Sequence, residues 1–450
     1  MPLPSFFPAA CDYTYAPQQQ YTIIDKAPGI NLTSQYRVID GEATEFVWKK
    51  ADGTVIEPGT DLTCDKGATR FLNSGLGSVY CVMSHPAFPA LSGDDAFRTT
   101  ETLVVAAPTK VIASFTCTEG TDNAGVIFRA KQPTAVYVDW RGDGTDFVQY
   151  EVASDTPSFY EGQTAYAGAD AKIYTYGEAD EITALDIYDV KMSSADFSPL
   201  TGLYTMAIEN AGLDEDHIKM PASPVLAEVN LSGNELSRMT FGQYPDLKSL
   251  GLSYNLYESF DASAYPKLEV LSLGLNKLTD VTLGNPCLWG VELSGNELES
   301  INLSGMPALH QLYIDGNKLT SIDVAPVAET LTVLDISNNY FTFATLPDVS
   351  GMASLNKFYY GNQAPLDVEC VDGRVDLSEQ ATVGDTATEY YWFLGEVYVN
   401  PETGGVVGEL LESSGDDPEY TVADGVTSFH YTFSDKVTGL LINAKYPSLA

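Results

Sequence analysis

The sequence predicts a mainly β protein: a solenoid of short repeats with non-helical convex segments, flanked by β-sandwich domains. Three observations carry this. An asparagine recurs about every 21 residues inside a fixed leucine frame, a long internal duplication brackets that array, and Tyr, Phe and Gly are abundant with charge spread rather than blocked. At 450 residues the chain is too long for one core, and its 44% hydrophobic content is that of folded domains.

The array comes first because it sets the architecture. The run Leu226-Ala227-Glu228-Val229-Asn230-Leu231-Ser232-Gly233-Asn234-Glu235-Leu236 fits L-x-x-L-x-L-x-x-N-x-L at every fixed position. The frame recurs from Leu268 to Asn276, Leu288 to Asn296 and Leu309 to Asn317. With Asn255 and Asn339 included, the asparagines advance by 21, 21, 20, 21 and 22 residues. The apolar positions point into a shared core, a short x-L-x-L-x strand pairs with its neighbours, and the asparagine amide bonds backbone where the chain turns. Asn234, Asn255, Asn276, Asn296, Asn317 and Asn339 should therefore form a structural ladder. Degraded frames at Ile182-Leu185-Ile187, Leu203-Met206-Ile208 and Leu355-Phe358-Tyr360, the last ending in Gln363, are the atypical ends of such an array. The back half of each unit, as in Leu319-Thr320-Ser321-Ile322-Asp323-Val324, is too short for a helix.

In these residues the sequence resembles the short leucine-rich repeats of Bacteroidetes secreted and surface proteins, a looser relative of the internalin repeat, over about residues 181–363. The resemblance implies an extracellular or cell-surface location in a Gram-negative gut-type bacterium and a role in adhesion or ligand capture. It names no ligand.

The flanks are read from the duplication. Asp12-Tyr13-Thr14-Tyr15-Ala16-Pro17-Gln18 parallels Lys357-Phe358-Tyr359-Tyr360-Gly361-Asn362-Gln363 at an offset of 345, so residues 1–18 read as the end of a preceding array. Asn31-Leu32 parallels Asp376-Leu377, Thr44-Glu45-Phe46-Val47-Trp48 parallels Thr388-Glu389-Tyr390-Tyr391-Trp392, and Gly67-Ala68-Thr69-Arg70-Phe71 parallels Gly425-Val426-Thr427-Ser428-Phe429. Residues 19–107 and 364–450 are thus expected to be two copies of one domain, the second incomplete, in a chain cut from a longer tandem array. Short β segments around one Trp resemble an immunoglobulin-like sandwich. Trp48 with Cys81 fits that signature, but Gly439 is read in the cysteine's place beside Trp392, so no obligatory disulfide is expected.

Between the first copy and the repeats, residues 108–180 contain Val138-Asp139-Trp140-Arg141-Gly142-Asp143-Gly144-Thr145, which resembles the W-x-G-D-G-T turn of PKD-like sandwiches. Its leading reading is a strand followed by a Gly-rich hairpin whose Asp bonds local backbone. Asp139, Asp143 and Asp146 are hard oxygen donors, so calcium is the one metal to test there; the Arg141-Gly142-Asp143 tripeptide is a weaker integrin-type signal.

Charge removes whole classes of partner. Against 62 Asp and Glu stand 23 Lys and Arg, a net charge of -39, which repels phosphate backbones and anionic lipid. Nucleic acid and membrane insertion are excluded as expectations, a monomer is expected, and no apolar run of about 18 residues exists to span a bilayer. The N-terminal residues lack the pattern of a signal peptide, so a secretion signal or anchor is expected outside this chain. Cys11, Cys64, Cys81, Cys117, Cys287 and Cys370 make no C-x-x-C pair.

Strand alternation assigns the variable positions to the concave, solvent-facing side. That face should present Trp289, His310, Tyr313, Tyr254, Glu292, Asp315 and Asp335, together with Asp186, Tyr188, Tyr204, Glu209, Glu228, Asn230, Ser253, Glu269 and Tyr359. Trp289, His310 and Tyr313 fall on adjacent repeats and are expected to form one patch, suited to a sugar ring or a protein loop. Histidines 85, 217, 310 and 430 accompany no catalytic motif, and the acidic run Asp214-Glu215-Asp216-His217 reads as a solvated loop. The leading reading is a non-enzymatic recognition module for a host or bacterial surface protein or glycan. The alternatives are a structural spacer and, last, a cryptic glycoside hydrolase.

Overall fold

The computed structural model describes residues 14–15, 22–24, 30–89, 97–99, 101–144, 147–154, 156–241, 243–364, 366, 368–383, 386–399, 406–416, 419–429 and 439–443. Most of the 1–18 segment, Asp146 and His430 lie outside them. The chain divides into two compact units, Met1–Leu226 and Ala227–Ala450. Both are β structures joined by turns and short 3-10 segments, with no α-helix among the described residues.

In the first unit, Glu45–Lys50 pairs antiparallel with Gly77–Ser84, which also pairs Thr102–Val105, while Leu62–Asp65 and Ala68–Phe71 form a separate hairpin. Between them lie Trp48, Leu62, Phe71, Val79, Cys81 and Met83, with the Phe71 ring edge-on to the Trp48 indole at 5.1 Å. Burying these side chains contributes roughly 1.5–3 kcal/mol each.

Residues 110–219 of this unit build two further sheets. One runs in the order Phe147–Val152, Thr134–Asp139, Asp170–Thr175, Lys110–Cys117, Met192–Asp196, Ile218–Lys219. In the other, Thr121–Ala130 lies between Ser158–Ala165 and Ile182–Tyr188, antiparallel to both, and Ile182–Tyr188 pairs parallel with Thr205–Ile208. The switch from antiparallel to parallel pairing marks where the solenoid begins. Each of its first two turns adds one strand to each sheet, so the sandwich covers the edges that the first repeat would otherwise expose. Both sheets therefore run on across residue 181, from the 108–180 segment, expected as a PKD-like domain or the N-cap of the repeats, into the array.

The second unit carries the regular repeats. Glu228–Asn230, Ser249–Gly251, Val270–Ser272, Gly290–Glu292, Gln311–Tyr313, Val333–Asp335 and Lys357–Tyr359 form one parallel sheet, a three-residue rung per repeat, with no shift of register. Behind it, Leu250, Leu271, Val291, Leu312 and Leu334 stack as one buried column and Leu252, Leu273, Leu293, Ile314 and Ile336 as another. On the convex side, among the described residues, only Ser259–Asp261 and Asp280–Thr282 pair as strands; the rest is turns and short 3-10 segments such as Ala262–Ala264 and Ala325–Val327.

The unit ends in a domain whose internal contacts repeat those of residues 30–84. Trp48 Nε1 donates to Thr69 Oγ1 at 3.0 Å, and Trp392 Nε1 to Thr427 Oγ1 at 3.2 Å. The Leu32 N–H donates to Gly67 O and the Leu377 N–H to Gly425 O. Both glycines have left-handed φ, and a Cβ on either would strike backbone across that bond. Strand register corrects one sequence reading. Trp48 faces Cys81 across its ladder, and Trp392 faces Leu440, with Gly439 opposite Phe393. Leu440 therefore holds the cysteine's place, because the strand pairing is displaced by one residue from the sequence alignment.

Candidate functional site

Register converts the repeat into columns. The residue just before each rung forms one column, Lys248, Glu269, Trp289, His310 and Thr332; backbone bonds such as His310 N to Trp289 O at 2.8 Å hold successive members a strand spacing apart. Along it, Lys248 Nζ lies 3.3 Å from Glu269 Oε1, an exposed pair of small energetic weight. Next come Trp289, 44% exposed, and His310, whose rings stack at 5.7 Å between centroids and 22° between planes. His310 Nδ1 lies 2.7 Å from the Ala308 carbonyl. A carbonyl only accepts, so Nδ1 is the donor of that bond.

Tyr313 belongs to a different column. It lies inside its rung, and its register neighbours are Glu292 and Asp335. The structure thus joins Trp289 to His310 and leaves Tyr313 three residues further along the strand direction. Tyr254 and Asp315 lie beyond their rungs, in the turn that leads to the asparagine, because strands of three residues end before the alternation reaches them.

Two acids of the face, Glu292 and Asp335, are engaged with their own chain. Glu292 Oε2 accepts from Ser253 Oγ at 3.1 Å, Ser272 Oγ at 3.2 Å and the Gly274 N–H at 3.0 Å, and its Oε1 accepts the Ser294 N–H at 3.0 Å. Asp335 accepts the N–H and hydroxyl of Ser337, and Asn230 those of Ser232. Sequence reasoning could list these carboxylates but not their donors.

In the turn after Thr134–Asp139, the fully buried Asp139 accepts the N–H groups of Arg141, Gly142 and Gly144 at 3.2, 2.9 and 2.7 Å. Its carboxylate faces amide donors, the environment of a structural turn residue, and Asp146 of the proposed calcium set is outside the described residues. Arg141 is held over the Tyr166 ring at 4.0 Å, with Nη2 donating to its hydroxyl. Asp214 takes the His217 ring at 2.6 Å, a bond that lowers the pKa of Asp214. No cluster of three metal-ligating side chains occurs among the described residues, and no helix among them is long and apolar enough to cross a membrane.

Short parallel rungs, stacked leucine columns and an asparagine ladder define the fold of residues 227–363 as a leucine-rich-repeat solenoid. No protein-family model matches the chain, and no curated protein matches it. Among solved structures it is similar to InlP from Listeria monocytogenes, at 20% identity over 48% of this chain and 67% of that one, with a TM-score of 0.33. It is also similar to YopM from Yersinia enterocolitica, at 19% identity over 38% and 36% with a TM-score of 0.31. A third is the leucine-rich repeat domain of APL1B, at 22% identity over 37% and 50% with a TM-score of 0.31. The matches thus span half the length of the APL1B domain and about a third of YopM.

Proposed function

We propose that the protein is an extracellular or surface recognition module that binds a protein ligand on the open face of its repeats. One observation carries the reading: Trp289 and His310 stack face to face, partly exposed, where the leucine frame demands no aromatic. An indole held rigid by its neighbour offers a large contact surface at little entropic cost. Two β-sandwich domains of one design, here read as Ig-like, would hold the module away from its attachment.

The spacer reading draws on Glu292, Asp335 and Asn230, whose polar groups are already engaged within the chain. The experiment that separates the two is a binding screen of the full chain against arrayed matrix proteins and glycans, beside a Trp289→Ala/His310→Ala variant of unchanged circular dichroism. Loss of a protein ligand in the variant is the expected result. Glycan binding lost in the variant would keep the face and change the ligand class, and binding equal in both, or by neither, would leave the spacer.

A further inference from the structure

We propose that Tyr254, Leu256 and Leu275 form a docking lip at the C-terminal edge of the repeat sheet, fitted to an apolar side chain on a basic segment of a partner protein. The inference extends the recognition reading above and rests on it.

The observation is one of backbone conformation. The residue before the ladder position takes a left-handed φ in every repeat: Asp189, Asn210, Gly233, Tyr254, Leu275, Gly295, Gly316, Asn338 and Asn362, at values from 53° to 72°. Seven of these nine are Gly, Asn or Asp, the residues that tolerate this region best. Tyr254 and Leu275 are the two exceptions, and they occupy consecutive repeats. An L residue with a large side chain is strained there, and such strain persists where the surroundings or function demand it.

Burial does not account for the exceptions, since Tyr254 is 63% and Leu275 48% exposed. Leu256, just past the ladder residue of the same repeat as Tyr254, is 39% exposed. Leu275 leans over the next repeat, its Cδ2 only 2.7 Å from where a Cβ on Gly295 would sit, so glycine there leaves it room. Three exposed large side chains thus fall on the turns of two consecutive repeats, a concentration of apolar surface of the kind that marks an interaction site.

Charge selects the occupant. Exposed Glu235 and Lys277 hold the Leu256 position in the repeats on either side, exposed Glu258 lies two residues past Leu256, and the molecule carries a net charge of -39. A second copy would bring the same charge to the contact and be repelled, whereas a segment rich in Lys or Arg is attracted before its apolar residue docks.

The test uses the full chain and a Tyr254→Asn/Leu275→Asn variant. If the side chains are retained for binding, removing them relieves strain, and the calorimetric midpoint of the repeats rises by about 2 °C or more. A lower midpoint would overturn the proposal by showing a structural role. A phage-displayed random peptide library selected on the native chain should yield sequences joining Lys or Arg to an aromatic or aliphatic residue. Their binding should fall at least tenfold in the Asn variant. Acidic selectants, undiminished binding or no enrichment would each overturn it. The Trp289→Ala/His310→Ala variant separates the two readings: peptides lost there but kept by the Asn variant preserve the recognition face and discard the lip.

Discussion

Asn317 reaches back into the repeat before its own, where its Oδ1 accepts the Leu298 N–H at 3.0 Å. Its Nδ2 donates to Leu293 O of that earlier repeat and to Ile314 O of its own, at 3.0 and 3.1 Å. The two carbonyls each hold a second ladder amide, Leu293 that of Asn296 and Ile314 that of Asn339. Only the Leu298 N–H therefore loses this bond outright in Asn317→Ala. That unsatisfied group and the small cavity should cost about 2–3 kcal/mol in denaturant unfolding. Asn317→Asp should cost more at neutral pH, because a carboxylate then faces the carbonyl oxygens of Leu293, Ile314 and Asp315. Its folded pKa is raised, so part of the loss should be recovered as pH falls through that raised value.

The paired domains give a second prediction. Thr69 and Thr427 each accept the indole N–H of a buried Trp. Replacing either by Val keeps the shape and orphans that donor, so Thr69→Val and Thr427→Val should each cost about 1–2 kcal/mol. Similar losses in the calorimetric transitions of the two domains would mark them as copies in energetics as well as design; a loss at one site only would break the equivalence.

The legibility of these features follows from their range. A leucine column or an asparagine ladder repeats with the chain, so period alone places Leu312 and Asn317. The stacking of Trp289 on His310 was also within reach, since both precede a rung in register. That Tyr313 falls in a separate register column, beside Glu292 and Asp335, was not legible, because a period does not say how many residues of each repeat stay extended. The Glu292 bonds depend on side chains up to 39 residues away, and the displaced register at Leu440 depends on a strand pairing; neither has a local signal. Leu275 did carry one, an apolar residue at a turn position held in seven of nine repeats by Gly, Asn or Asp, and it becomes visible once the turn's left-handed φ is known.

Cysteine reactivity should follow burial. Cys117 is buried, and desolvation, with a lesser contribution from the Asp170 charge, pushes its thiol up to about 11. Cys81 is pushed up further, by burial first and then by the nearby Cys64. The thiolate is the reactive form, so at pH 8 a disulfide reagent should modify the exposed Cys287 and Cys370 within minutes. Cys81 and Cys117 should react only after denaturation. Peptide mapping by mass spectrometry checks this, and rapid labelling of Cys117 in the native chain would contradict the packing of its strand.

Glu292 tests whether a carboxylate on the open face serves recognition or architecture. Its four donors come from three repeats, Ser253 from one, Ser272 and Gly274 from the next, and Ser294 from its own. The side chain fills the space above Gly274, where a Cβ would fall 2.3 Å from Oε1. A carboxylate met by four donors has little left for a ligand, while its removal leaves the Ser294 N–H to be rehydrated at a partly buried surface; the Gly274 N–H keeps Ser253 Oγ at 3.1 Å. Glu292→Ala should therefore lower stability by about 1–2 kcal/mol. Glu292→Gln should lower it less, since the amide oxygen still accepts while its NH2 meets donors. Affinity for any ligand of the Trp289–His310 pair should change less than twofold in either. Should Glu292→Ala instead abolish binding at unchanged stability, the carboxylate would be a contact of the ligand, and the face would be more acidic in function than its hydrogen bonds imply.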